Sequence, residues 1–381
     1  MLGITTIKLS KSSGVFLLLT FVPIAVALEF LNAADHIVIF IVAAVGLVPL
    51  AKLIGDSTEN LAIYYGSTSG SLLNVTFGNA AEIIIAIVAI NAGLLDLVKA
   101  SITGAILRNI LLIFGLSIIA GGFKHKEQFF NKENTGVQSS MLFLAVIGLA
   151  IPTVLATTAL EPLDTSDQLK IQFLSDAIAF LLLAVYVAGI IFTFITHKHL
   201  FSVQLSPETR EEGKEKVEQI EGREEDHRDW SKKKSFVLLG ISMAGVVIVS
   251  VILVGSVEAT IKEYGFGELF VGAIIIGIVG NAAEHSSAII LARKGKIDLS
   301  IGIAAGSGTQ IALFVVPILV IAGIVMGRPF TLVFTIFELV SVFLAAIILN
   351  LIAHDGKSNW FEGVLLTAVY IAIAIGFFLI P

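Results

Sequence analysis

The chain has 381 residues, 56% hydrophobic and 14% charged, with a mean hydropathy of +0.96. That composition excludes an ordinary soluble globular domain. There is no cysteine, hence no disulfide framework and no thiol chemistry, and ten of the 30 acidic residues fall in one loop, so the net charge of −6 says little about partners.

In chain order, eleven apolar segments follow: residues 14–31, 34–54, 68–94, 98–122, 137–158, 170–196, 235–255, 267–291, 298–326, 330–351 and 360–380. Most approach the ~20 residues that cross ~30 Å of hydrocarbon as a helix. The third and eighth run to about 25 residues, so they are expected to tilt or break. The first, following Lys8 and Lys11, has the flanks of a signal peptide but no clear cleavage site, and it is read as a membrane helix.

Residues 197–234 form the one long polar segment. Between Pro207 and Asp229 it holds ten acidic residues against five basic ones, and Ser206-Pro207 marks a helix start. It is read as a solvated linker, with a cation-sensing role as the alternative.

Charge asymmetry sets the orientation. With the N-terminus inside and each segment reversing the chain, nineteen of the 24 Lys and Arg residues fall inside and four outside, with Arg108 within a helix. The C-terminus is then outside, and an even number of crossings would spoil this bias.

Two segments carry one five-residue string. Gly78-Asn79-Ala80-Ala81-Glu82 recurs as Gly280-Asn281-Ala282-Ala283-Glu284, 202 residues later. At the same offset, Gly70 matches Gly272, Asp96-Leu97 matches Asp298-Leu299, Gly104 matches Gly306 and Gly121 matches Gly323. Residues 34–196 and 235–381 therefore read as two repeats of five helices, and residues 1–33 as an extra helix. Five is odd, so the repeats are inverted in the membrane. Inverted repeats with interrupted helices at matching places are a transporter architecture with its site at their interface. The fold class is thus an all-α integral membrane protein.

The string has a chemical logic. A carboxylate deep in a membrane is expensive and points to an ion or proton path. Gly78 and Gly280 weaken the helix, so that backbone carbonyls can face an ion. Asn79 and Glu82 are three apart and share a helix face, as do Asn281 and Glu284. The alanines let another helix approach closely. Two carboxylates, two amides and several carbonyls suit Ca²⁺ and offer nothing soft for zinc or copper. Two ionised glutamates balance one divalent cation; without it, burial and like charge favour protons in its place. Cation and protons then alternate as occupants, which is an exchange rule, with up to about two protons per divalent ion.

Gly280-Asn281-Ala282-Ala283-Glu284-His285, its earlier copy, Ser307-Gly308-Thr309-Gln310-Ile311-Ala312-Leu313-Phe314 and the acidic loop together resemble the cation/proton exchanger (CAX) branch of the Ca²⁺/cation antiporter superfamily. The resemblance covers the chain from Ala34 onward. It implies Ca²⁺/H⁺ exchange, with Glu82 and Glu284 as ion and proton carriers and Asn79 and Asn281 as flanking ligands or gate donors. Asn109 and Gln310 would be polar partners on the following helix of each half, and His285 a supporting partner. One stretch departs: Gly104-Ala105-Ile106-Leu107-Arg108-Asn109 has Ala and Arg where that branch more often shows small polar residues.

Elsewhere, Arg108 is expected to pair with Glu338 or Glu29 in a structural role. Asp56, Glu59 and Glu258 lie near the ends of the second and seventh helices, where either vestibule attraction of cations or interfacial solvation explains them, and Asp176, near the outer end of the sixth, is read as solvated. A Na⁺-driven exchanger of the same superfamily is the nearest rival, and would carry more Ser, Thr and Asp around the acidic pair. A channel fits matched broken helices less well. An intramembrane protease lacks its motifs, and no enzymatic activity, cofactor or nucleic-acid partner is expected. The expected partners are Ca²⁺, protons and the bilayer, with a homo-oligomer left open. The expected location is a microbial plasma membrane, since no organellar targeting segment precedes the first helix.

Overall fold

A computed structural model of the chain describes residues 13–158, 165–197, 230–277 and 281–380. These fold as a bundle of long helices. An apolar chain in hydrocarbon has little choice, since only helices or closed barrels meet every backbone hydrogen bond from within. Among the described residues eight helices are long and apolar enough to cross a membrane, and Val15–Leu31 and Ala80–Ala92 are shorter apolar helices. With the interrupted stretch over 268–293, this is consistent with eleven crossings. A two-residue pairing of Gln128–Phe129 with Lys357–Ser358 ties together the loops that follow residues 122 and 355.

Three boundaries differ from expectation. The polar stretch over 55–67, read as a connection, is helical, and the helix His36–Phe77 runs through it. Several polar side chains bond along the helix itself: Lys52 pairs with Asp56 at 3.0 Å, Thr58 donates to the Ile54 carbonyl at 2.7 Å and Asn60 to the Asp56 carbonyl at 2.9 Å. The seventh helix, Lys232–Tyr264, overruns its apolar part at both ends; a Lys262–Glu258 pair supports its last turns and Gly265, at φ 69°, ends it.

The tenth helix is Ile336–Asp355, and the residues before it are extended, not helical from Phe330. Pro329 has no N–H to give, and the β-branched Thr331 and Val333 favour extended backbone. Phe330 and Leu332 are nonetheless fully buried. Hydroxyl groups take over the missing helical partners: Ser175 Oγ accepts from the Leu332 N–H at 3.1 Å and Thr153 Oγ1 from the Phe334 N–H at 3.0 Å. Thr335 then starts the helix through a capping box with Glu338.

Glycines set the closest helix approach. Leu95–Leu107 crosses the stretch containing Gly272 and Ala273 backbone to backbone: a Cβ on Gly272 would stand 2.7 Å from the Leu97 carbonyl, and one on Gly104 would overlap the Ala273 backbone. This joins the two halves beside the interrupted segments. Gly104→Ala should therefore cost about 1–3 kcal/mol through overpacking. Gly302→Ala, where a new Cβ meets nothing within 4 Å, should be neutral. Thermal unfolding of both variants in detergent checks the contrast.

Candidate functional site

Both helix breaks fall at the repeated string. The first lies at Gly78-Asn79, between Phe77 and Ala80, where Asn79 takes φ −97° and ψ 15°. Asn281 takes nearly the same conformation, φ −119° and ψ 20°, immediately before Ala282–Arg293. Gly280, an expected ligand, lies outside the described residues. Each asparagine is the cap of the helix that resumes, so Glu82 and Glu284 are third in the first turn.

That position matters, because a glutamate there commonly reaches back to hold the helix end. Glu338 does so, accepting from Thr335 N–H at 2.8 Å and from its hydroxyl at 2.9 Å. Glu82 does not: no side chain caps its helix, and among the described residues both its carboxylate oxygens are buried with no partner in hydrogen-bond geometry, although the Asn281 amide lies nearby. A carboxylate that could serve the fold is left unspent. Glu284 lies close enough to Glu82 for their charges to interact.

The surrounding amides knit the halves together. Asn79 Nδ2 donates to Gln310 Oε1 at 3.0 Å, which leaves Asn79 Oδ1 buried without a partner. Asn109 Nδ2 donates to Ser307 Oγ at 2.9 Å, and Asn109 Oδ1 lies 3.0 Å from His285 Nε2. Arg108 Nε also approaches His285 Nε2, at 3.4 Å. One ring nitrogen cannot both donate to Asn109 and accept from Arg108; the shorter contact favours the Nε2–H tautomer. Asn79, Asn109, Asn281 and His285 are all buried. The structure thus gathers Glu82, Glu284, Asn79, Asn281, Asn109, Gln310 and His285 in one region, with Gly78 in the turn that opens the first break.

Arg108 corrects the sequence reading. Its acidic neighbour is neither Glu338, occupied by its cap and by Thr103, nor the exposed Glu29, but Glu82, with Nη2 3.9 Å from Oε1. A signal for this was present. Arg108 and Gln310 are 202 residues apart, the offset of the repeat, and Gln310 reaches the other asparagine of the pair. Both follow regular helix and adjoin wide π-helical turns, Arg108–Ile113 and Ile311–Val315. Such turns favour functional sites because they re-aim side chains.

A cavity adjoins Glu82, walled by Ala86, Ser101, Ala105, Gly277 and Val315 among others. Among the described residues no three His, Asp or Glu side chains converge as a metal cluster, so a cation here would rely on two carboxylates completed by amide and carbonyl oxygens. Asp56, Glu258 and Asp176 stay outside, engaged by Lys52, Lys262 and Gln172.

The sequence pattern of the family described as sodium/calcium exchanger protein matches residues 35–195 and 234–379. A Ca²⁺/H⁺ antiporter of Aphanothece halophytica is 41% identical over 374 residues, covering 98% of each chain. The Ca²⁺/H⁺ antiporter ChaA of Bacillus subtilis is 40% identical, covering 90% of this chain and 92% of its own. The solved structure of native YfkE superposes with a TM-score of 0.78 at 36% identity, covering 96% of this chain and all of that one.

The Asn79–Gln310 bond spans the two halves and is open to a double-mutant cycle. Gln310→Leu alone should cost about 1–3 kcal/mol by stranding a buried amide donor, while Asn79→Leu with Gln310→Leu should recover part of that loss. Unfolding midpoints of the four proteins in detergent give the coupling.

Proposed function

The chain belongs to the sodium/calcium exchanger protein family, and from that premise we propose that it is a secondary-active Ca²⁺/H⁺ antiporter exporting Ca²⁺ by alternating access. The observation that carries this reading is the unspent Glu82 carboxylate at a helix break whose twin bears Glu284. Relatives named as Ca²⁺/H⁺ antiporters, similar along nearly the whole chain, support it.

In this reading Ca²⁺ is held by the Glu82 and Glu284 carboxylates, with Asn79 Oδ1, the Asn281 amide and carbonyls at Gly78 and Gly280 as further oxygen donors. Hard oxygen ligands of flexible number are what this cation accepts. Protons replace it on the same two glutamates, so each occupant excludes the other. Asn109, Gln310 and His285 hold the breaks against the neighbouring helices and act as gate donors. Residues 34–196 and 235–381 are the two inverted units that rock about this site, residues 1–33 an added helix and residues 197–234 an acidic cytoplasmic linker. The N-terminus is cytoplasmic and the C-terminus outside, in a microbial plasma membrane. On that orientation the cavity beside Glu82 lies toward the outer side.

Purified protein in liposomes should take up Ca²⁺ under an imposed pH gradient with no Na⁺ present. Glu82→Gln and Glu284→Gln should each reduce uptake to the level of empty liposomes. Uptake that needs a Na⁺ gradient would transfer the chain to the Na⁺/Ca²⁺-type exchangers, and unchanged uptake in either variant would make the repeated carboxylate structural.

A further inference from the structure

We propose that Arg108 is a tethered competitor of the transported cation, a guanidinium that faces the Glu82 carboxylate when neither the ion nor a proton is on it and opposes binding of the ion. This rests on the reading of Glu82 as a cation ligand.

The observations are geometric. Arg108 is 1% exposed, and among the described residues neither Nη1 nor Nη2 has a hydrogen-bond partner. A buried charge is costly unless paired, and a guanidinium does not shed its proton to escape that cost. Among the described residues the one carboxylate within ion-pair distance is Glu82, at 3.9 Å. That separation is too long for a hydrogen bond, so the attraction is of charge alone, as for a mobile ion. Room for the guanidinium is provided by Gly277, where any side chain would overlap Nη1. The site is therefore shaped to admit this cation, though among the described residues nothing hydrogen-bonds the two terminal nitrogens.

A Ca²⁺ ion on Glu82 would sit about 2.3–2.6 Å from its oxygen, inside the field of the same guanidinium. The two positive charges then compete for one carboxylate in a low dielectric, where like charges repel most strongly. Two consequences follow for transport. Apparent affinity is lowered, so that the ion leaves readily on the releasing side. Glu82 also keeps a counter-charge in the interval between release of the ion and arrival of the proton. The repeat-equivalent Gln310 is neutral, so the device exists in one half only. Arg108 acts through Glu82 and is a charge-setting residue, not an ion ligand.

The test separates charge from structure. Arg108→Met keeps length without charge, Arg108→Gln keeps polar donors without charge, and Arg108→Lys keeps the charge. Ca²⁺ KM for pH-driven uptake, and Ca²⁺ affinity by calorimetry on the purified protein, should both tighten about tenfold in the Met and Gln variants. The Lys variant should stay within about twofold of wild type. Added guanidinium chloride should compete with Ca²⁺ in the Met variant at concentrations that leave wild type unaffected. Unchanged or weaker Ca²⁺ affinity in a folded neutral variant overturns the proposal. So does failure of both neutral variants to fold, because a competitor is dispensable for folding. If Glu82→Gln binds Ca²⁺ as wild type does, the reading of the site fails instead. Loss of binding there, with no tightening in the Arg108 variants, rejects this inference alone.

Discussion

The structure depends on one constraint: inside hydrocarbon, a backbone that leaves the helix must find other partners for its N–H and C=O groups. Interruptions are therefore rare and each is tied to side chains that compensate. The extended segment ahead of Ile336 borrows hydroxyls from Thr153 and Ser175. The breaks at Asn79 and Asn281 are flanked by amides and carboxylates instead, and those are only partly satisfied. The first interruption is closed and structural. The other two are open: among the described residues, at one Asn79 Oδ1 and both Glu82 oxygens lack partners, oxygen donors of the kind a hard cation seeks, while at its twin it is the Asn281 Nδ2 that lacks one.

Glu338 and Glu82 show how context divides one residue type into two roles. Both are buried or nearly so, and both stand third in the first turn of a helix. A threonine at the cap consumes the first glutamate, whereas an asparagine at the cap, turned toward Gln310, leaves the second unbonded to its helix end and facing the Arg108 guanidinium. The choice of cap residue thus decides whether the carboxylate is spent on its own helix end.

Much of this was legible in the sequence. The repeated string located both breaks, and a constant offset of 202 aligned the segments around them. Asn109, Gln310 and His285 were identified through family resemblance and lie in the same region as the two glutamates. What escaped reading has physical causes. The helix through residues 55–67 is supported by side chains bonding within their own helix, which polarity counts score as a loop. The extended stretch before Ile336 is as apolar as a helix, and its partners lie over 150 residues away in sequence. The neighbour of Arg108 depends on a widened turn that alters which way the side chain faces, and helical periodicity does not show that.

The widened turns at 108–113 and 311–315 have an implication for chain length. In a regular helix each residue advances the face by about 100°, so losing one would swing everything downstream away from its neighbours. A π-helical turn already holds a surplus residue between two helices of ordinary pitch. Shortening the chain by one there heals the pitch and leaves the faces on either side in phase. These two places, beside Arg108 and Gln310, are among those where the length of the polypeptide and the shape of the bundle are uncoupled, and where an insertion can have entered a membrane helix without unmaking it.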